Sequence, residues 1–287
     1  MSQQQLFTIL FDSQTSQVEQ QALTGTRLNT LFGALTSVFG VAGPSADGGA
    51  WPGGAESPLA FTPVGSSSAG PTYGPITSQQ LSGSNVLAIL TRWQYPQGSG
   101  AEFSQAELDA IEQWVAGGGA LLLMSNHTFW AKNDQALAAQ LGFTLHYGSM
   151  ISSPGGMMLM EGGDFHPSGV DGAPQIFSGV SSVTAHDGCG ISFPDPSPSG
   201  TTYAPLVSFP ANANAPSGQY FAAIAKYHNG KVVVVANSGW VGDVGNNNPW
   251  AGIAPYGSNL LFALNAFAWL AGIPAWNPAT GQPSNGG

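Results

Sequence analysis

The sequence predicts an α/β fold with a doubly wound, mostly parallel sheet, and three observations carry that expectation. Short apolar runs of strand length stand at 6–12 ("LFTILFD"), 85–91 ("NVLAILT") and 120–125 ("ALLLMS"). Apolar residues at three- and four-residue steps, the period of a helix packed on one face, lie between and after them. The last two runs are joined by a capped helix and a glycine turn, a connection that parallel neighbours require.

The elements follow in order. The strand at 6–12 ends in Asp12 and leads into a helix over 22–39, where Leu28, Leu31, Phe32, Leu35 and Phe39 share a face. Residues 41–84 are rich in Gly, Pro and Ser and read as a long loop with one strand at "LAFTPV"; loops of that length are uncommon without a purpose. After the strand at 85–91, Ser104 and Glu107 have the spacing of a capping box. Leu108, Ile111, Trp114 and Val115 then form one apolar stripe, ended by Gly117–Gly119. A further helix over 133–141 precedes a strand at "FTLHYG".

The second half is less regular. Residues 150–202 read as an irregular insertion with short strands at most. "YFAAIAKYHNGKVVVVANSGW" (220–240) predicts a β-hairpin, with Asn229-Gly230 suited to a type I′ turn. A helix over 257–271 buries Leu260, Leu261, Leu264, Phe267 and Trp269, and a Pro/Gly/Asn tail occupies 276–287. The reading is one domain over 1–275 with Gly/Pro-rich insertions.

Composition narrows the function classes. With 43% hydrophobic residues the chain can build a large core, yet only 7% of it is charged, against roughly 25% in ordinary soluble proteins. The net charge is −10 and only five residues are basic, so nothing collects phosphates and nucleic acid is not an expected partner. The longest apolar stretch, "NLLFALNAFAWLAGI", is too short for a membrane span and carries Asn265. The start has no basic region ahead of an apolar run, so no classical signal peptide is read. Cytoplasmic residence is the default, with the cell surface or exterior open. Cys189 stands alone and can form no internal disulfide.

Taken together, "ILFDSQ", "NVLAILT", "FSQAELDAIEQWVAGGGALLLMS", "FHPSGVDG", "NGKVVVVANSGW" and "SNLLFALNAFAWLAG" resemble the class I glutamine amidotransferase-like superfamily, in its branches that are not amidotransferases. The resemblance implies a flavodoxin-like sheet. It also implies an elbow after the strand at 120–124, where the amidotransferases carry a nucleophilic cysteine. Here the elbow reads Met124-Ser125-Asn126-His127-Thr128, with no cysteine, and Cys189 lies elsewhere. Amidotransferase chemistry is therefore not expected. Ser125 lacks the small neighbours of a G-x-S-x-G elbow and reads as a loop hydrogen-bonder.

Ligands of open α/β sheets bind beyond the carboxyl ends of the strands. That rule collects Asp12 and Gln14, Arg92 and Trp93, Ser125, Asn126 and His127, and Asn237, Trp240 and Asp243. Asp12 and His127 could meet there as an acid/base pair or as metal ligands, although no metal-binding spacing is present and no metal or cofactor is expected. His186, Asp187 and Cys189 are explained by a turn at Asp187-Gly188. Loop tryptophans suit either sugar stacking or interface anchoring. The favoured reading is a non-catalytic module that self-assembles into a homo-oligomer or polymer, or binds a protein partner. Its interfaces are expected in the 41–84 loop, the 240–256 loop or the tail. The alternatives are a glycan-binding or glycan-processing protein and a hydrolase using the strand-end cleft.

Overall fold

The structure, a computed structural model, describes residues 7–12, 30–31, 34–35, 41–42, 59–63, 66–67, 70–71, 75–92, 102–152, 157–167, 170–171, 173–242, 258–273, 276–277 and 282–283. The candidates Gln14, Trp93 and Asp243 lie outside the described residues, as do most of the 22–39 helix and of the loops expected to form interfaces.

Ten strands form the main sheet. They are β1 (Phe7–Phe11), β2 (Val41–Ala42), β3 (Leu59–Pro63), β4 (Val86–Leu90), β5 (Ala120–Met124), β6 (Thr144–His146), β7 (Gly190–Ser192), β8 (Thr201–Ser208), β9 (Tyr220–Tyr227) and β10 (Gly230–Val235). The order is β2-β3-β1-β4-β5-β10-β9-β7-β6, with β8 also paired to β9. The ladders from β2 to β10 are all parallel. Those joining β10, β9, β7, β6 and β8 are antiparallel. The sheet is thus mixed and mostly parallel. The run β3-β1-β4-β5-β10 has the 2-1-3-4-5 order of flavodoxin-like sheets, whose direction of winding reverses between the first and third strands.

The capped crossover helix forms as its sequence demands. α2 (Gln105–Ala116) follows α1 (Ser78–Ser82), and Ser104 and Glu107 cap α2 reciprocally. Leu108, Ile111 and Val115 are buried, while Trp114 packs partly buried at the rim. Gly119 is needed there because a Cβ would meet the Trp114 ring at 2.3 Å. β4 and β5, which α2 connects, are buried along their whole length. α3 (Phe129–Gln140) begins four residues ahead of the expected helix at 133. α4 (Asn259–Leu270) buries Phe262, Leu264, Phe267 and Trp269, with Leu260 packed partly buried.

Two features of the second half depart from the sequence reading or lie outside it. The hairpin turn is His228-Asn229, since Tyr227 pairs with Gly230. His228 alone takes a positive φ, of 51°, so this is not a type I′ turn. Gly230 serves close packing instead: a Cβ there would lie 1.9 Å from the Val115 carbonyl oxygen. β8 is an eight-residue strand that Pro205 hides from sequence reading. It tolerates the proline because its single ladder partner is β9, and the register shifts beside that residue.

Candidate functional site

The strand-end residues divide into a sealed group and an open one. Asp12 follows β1 and Arg92 lies two residues after β4, on either side of the point where winding reverses. Arg92 Nε donates to Asp12 Oδ2 at 2.6 Å and Nη2 donates to Glu107 Oε1 at 3.0 Å. Both Asp12 and Arg92 have no solvent exposure. The guanidinium lies 3.7 Å from the centre of the Phe103 ring. Glu107 also receives the backbone N–H groups of Ile76 and Ser104. Burial alone would raise the Glu107 pKa, but the Arg92 charge and these donors outweigh it and hold the group below its ordinary value. Burial opposes the charge on Arg92, and its two carboxylate partners outweigh that and raise its pKa.

Asp12 and Arg92 thus meet each other in a buried ion pair, where the sequence offers His127 as a partner for Asp12. The reason is distance in the sheet: β4 is the direct neighbour of β1, and β5 lies one strand further.

Ser125 is equally buried and donates to Asp134 Oδ2 at 2.7 Å, in place of facing a ligand. Asp134, on α3, also accepts the Arg92 backbone N–H at 3.1 Å. Complete burial pushes its carboxyl up to about 7 despite those donors. Cys189 is buried nearby, and burial, with Asp134 adding to it, pushes its thiol up to about 12. It is no nucleophile at neutral pH. Trp240 is fully buried against Phe262 and presents no sugar platform.

The open group gathers Asn126, His127, Thr128, Asp187 and Asn237 beyond β5 and β10. His127 Nε2 lies 3.2 Å from Asp187 Oδ2, and His186 Nδ1 lies 3.5 Å from the same oxygen. Asn237 Nδ2 donates to Asp187 Oδ1 at 2.7 Å and reaches Asn126 Oδ1 at 3.3 Å. Asn126 Oδ1 also accepts the His127 backbone N–H at 2.8 Å, while its amide donates to Ser238 Oγ at 3.0 Å. The Trp130 ring meets the imidazole edge-on, with centroids 4.6 Å apart. Burial lowers the His127 pKa most; Asp187 pulls it up and His186 pushes it down, leaving it below 6.5. The imidazole is neutral at neutral pH. Since a carboxylate only accepts, Nε2 carries the proton and Nδ1 keeps a lone pair.

That lone pair faces Thr128 Oγ1 at 3.2 Å. Thr128 is the elbow residue between β5 and α3, with φ 52° and ψ −124°. For a β-branched side chain this is an outlier, of a kind that costs about 1–3 kcal/mol and collects at functional sites. Although threonine commonly caps helices, Thr128 makes no side-chain cap bond to α3. A cavity of about 330 Å³ opens beside it, lined by Thr128, Lys132, Tyr147 and Gly148. Among the described residues no group of three His, Cys, Asp or Glu side chains is arranged to hold a metal ion.

Of the sequence candidates, Asn126, His127 and Asn237 meet in this group. Asp187 and Thr128 are the members that sequence reasoning missed. Asp187 lies sixty residues from His127 with no motif joining them, and the elbow falls three residues beyond Ser125.

No protein-family model matches the chain, and no curated protein matches it. Solved structures do. The mmIFT52 N-terminal domain is similar with a TM-score of 0.56 at 13% identity, covering 92% of this chain and 96% of that one. A ThuA-like protein from Bacteroides uniformis aligns at TM-score 0.49 and 16% identity, over 94% and 93% of the two chains. A cytoplasmic protein from Salmonella typhimurium aligns at 0.49 and 14%, over 92% and 97%. The mmIFT52 likeness is one of fold alone.

Proposed function

We propose that this chain is a module of the class I glutamine amidotransferase-like superfamily that works by association through an uncharged surface, chiefly with copies of itself. The superfamily assignment is supported by the strand order and by the strand–elbow–helix unit that lacks a thiol. The observation that carries the association is where the charges lie. Only 20 of 287 residues are Asp, Glu, Lys or Arg. Among the described residues, five of these (Asp12, Arg92, Glu107, Asp134 and Asp187) are buried. The outer surface is thus poorer in charge than composition alone implies. Two such surfaces meet without stripping water from unpaired ions, which costs several kcal/mol each. Tyr147, exposed by 58%, is an aromatic anchor of the kind that interfaces use.

Sedimentation velocity across protein concentration tests this, run from low salt to about 1 M, where the screening length is about 3 Å. An oligomer that persists throughout is expected, weakened by removing 276–287 or altering the 41–84 or 240–256 segments. A sharp monomer at every concentration would remove the reading. Glutamine should yield no ammonia above background, in the unmodified chain or in Cys189→Ser and Ser125→Ala.

A further inference from the structure

We propose that Thr128, His127 and Asp187 form a hydroxyl–imidazole–carboxylate site that cleaves small activated acyl esters through an acyl-Thr128 intermediate. This activity is separate from association, although Tyr147, an exposed anchor for association, also borders the hollow beside Thr128. Three observations converge on it. The hydroxyl, the unprotonated imidazole nitrogen and the carboxylate stand in series, each 3.2 Å from the next. The hydroxyl sits on a turn with φ 52° and gives up its capping bond to face the imidazole. The hydroxyl's residue borders an open surface hollow, lined also by Lys132, Tyr147 and Gly148, from which a small ester can reach it.

The chemistry follows from the geometry. Thr128 Oγ1 attacks the ester carbonyl carbon as its proton passes to His127 Nδ1, while Nε2–H stays donated to Asp187 Oδ2. The carbonyl oxygen becomes an oxyanion at the N-terminal end of α3, whose backbone does not donate to the Thr128 side chain and whose dipole favours negative charge. The C–O bond to the leaving alcohol then breaks, and that alcohol takes the proton from Nδ1. Water, deprotonated by the same nitrogen, attacks the acyl-threonine and releases the carboxylic acid, restoring the hydroxyl. Thr128 is the nucleophile and His127 the base. Asp187 and Asn237 are positioning residues that fix the imidazole tautomer.

The test treats the full chain with p-nitrophenyl acetate and reads both nitrophenol release and acetylated peptides by mass spectrometry. Acetylation of Thr128, with a burst of nitrophenol, is expected. Thr128→Ser should keep the activity, whereas Thr128→Ala and His127→Ala should each lower it by a factor of about 10²–10⁴. The rate should fall on acidification with a midpoint below 6.5. Asp187→Asn should shift that midpoint lower still, because it removes the group that raises the His127 pKa while His186 remains. Circular dichroism of each variant separates lost chemistry from lost fold. Folded wild-type protein with no adduct on Thr128 would overturn the proposal, without bearing on the sedimentation result. So would acetylation confined to Lys132 or Tyr147, or release that survives Thr128→Ala.

Discussion

At the ends of β1 and β4 Asp12 and Arg92 are sealed; beyond β5, one strand further across the sheet, Asn126 and His127 are partly exposed, over the buried Ser125 and Asn237. The sealed group spends its polarity inward. Asp12 and Glu107 accept from Arg92, whose guanidinium lies against Phe103, while Arg92 Nη1 is left without a hydrogen-bond partner among the described residues. The open group holds a partly exposed imidazole between a carboxylate and a hydroxyl, supported by two asparagines. The same position in the fold thus holds a buried ion pair at one place and, on our proposal, a hydroxyl–imidazole–carboxylate site at the other. The difference is whether a partner of opposite charge is available on the adjacent strand.

Breaking the sealed group should have the largest effect. Arg92→Ala leaves two buried carboxylates without their cation and should lower stability by about 3–5 kcal/mol in chemical denaturation. His127→Ala, in the half-exposed group, should cost less than about 1 kcal/mol in the same experiment, in the range of surface changes. Equal losses would erase the distinction between the two regions.

Relief of strain comes next. Thr128→Gly removes a β-branched residue from φ 52° and should raise stability, by about 1–2 kcal/mol after glycine's greater freedom in the unfolded chain is subtracted. A destabilised glycine variant would mean that the hydroxyl's contacts outweigh the backbone cost.

Asp134, which joins the two regions through Arg92 N–H and the Ser125 hydroxyl, gives a smaller and pH-dependent effect. Its folded pKa of about 7 lies above the ordinary 3.8, so the folded state keeps the proton longer than the unfolded chain does. The stability this contributes is complete below pH 3.8 and is lost as pH rises through 7. Asp134→Asn cannot titrate, so its stability relative to the wild type should climb over that interval and level off above it. A constant difference between the two would contradict the burial argument. Cys189 should likewise resist thiol reagents until the chain unfolds; rapid modification of the native protein would place it outside the core.

The core of the fold was legible because its signals are local. Apolar runs of strand length, the Ser104/Glu107 cap and the glycine stop each lie within a few residues, and the β4–α2–β5 unit followed from them. Asn126, His127 and Asn237 were legible as strand-end residues by topology alone. The pairing was not. Asp12 could be matched with His127 or Arg92 only by knowing which strands are neighbours, and Asp187 sits in a turn that explains itself without a site. Trp240 read as a loop aromatic because burial by α4 is invisible in a Gly-rich segment. Thr128 was passed over since φ is not written in a residue's identity. β8 carries Pro205, which a strand tolerates only where its ladder is one-sided, and that position is not visible in the sequence.

The account turns on whether His127 is held as a neutral base by Asp187. Nitrogen-resolved NMR of the imidazole, followed across pH, measures this directly. The expected spectrum has the proton on Nε2 at neutral pH, a titration midpoint below 6.5, and a further fall in that midpoint in Asp187→Asn. A proton on Nδ1, or a midpoint above 6.5 that Asp187→Asn leaves unchanged, would contradict it.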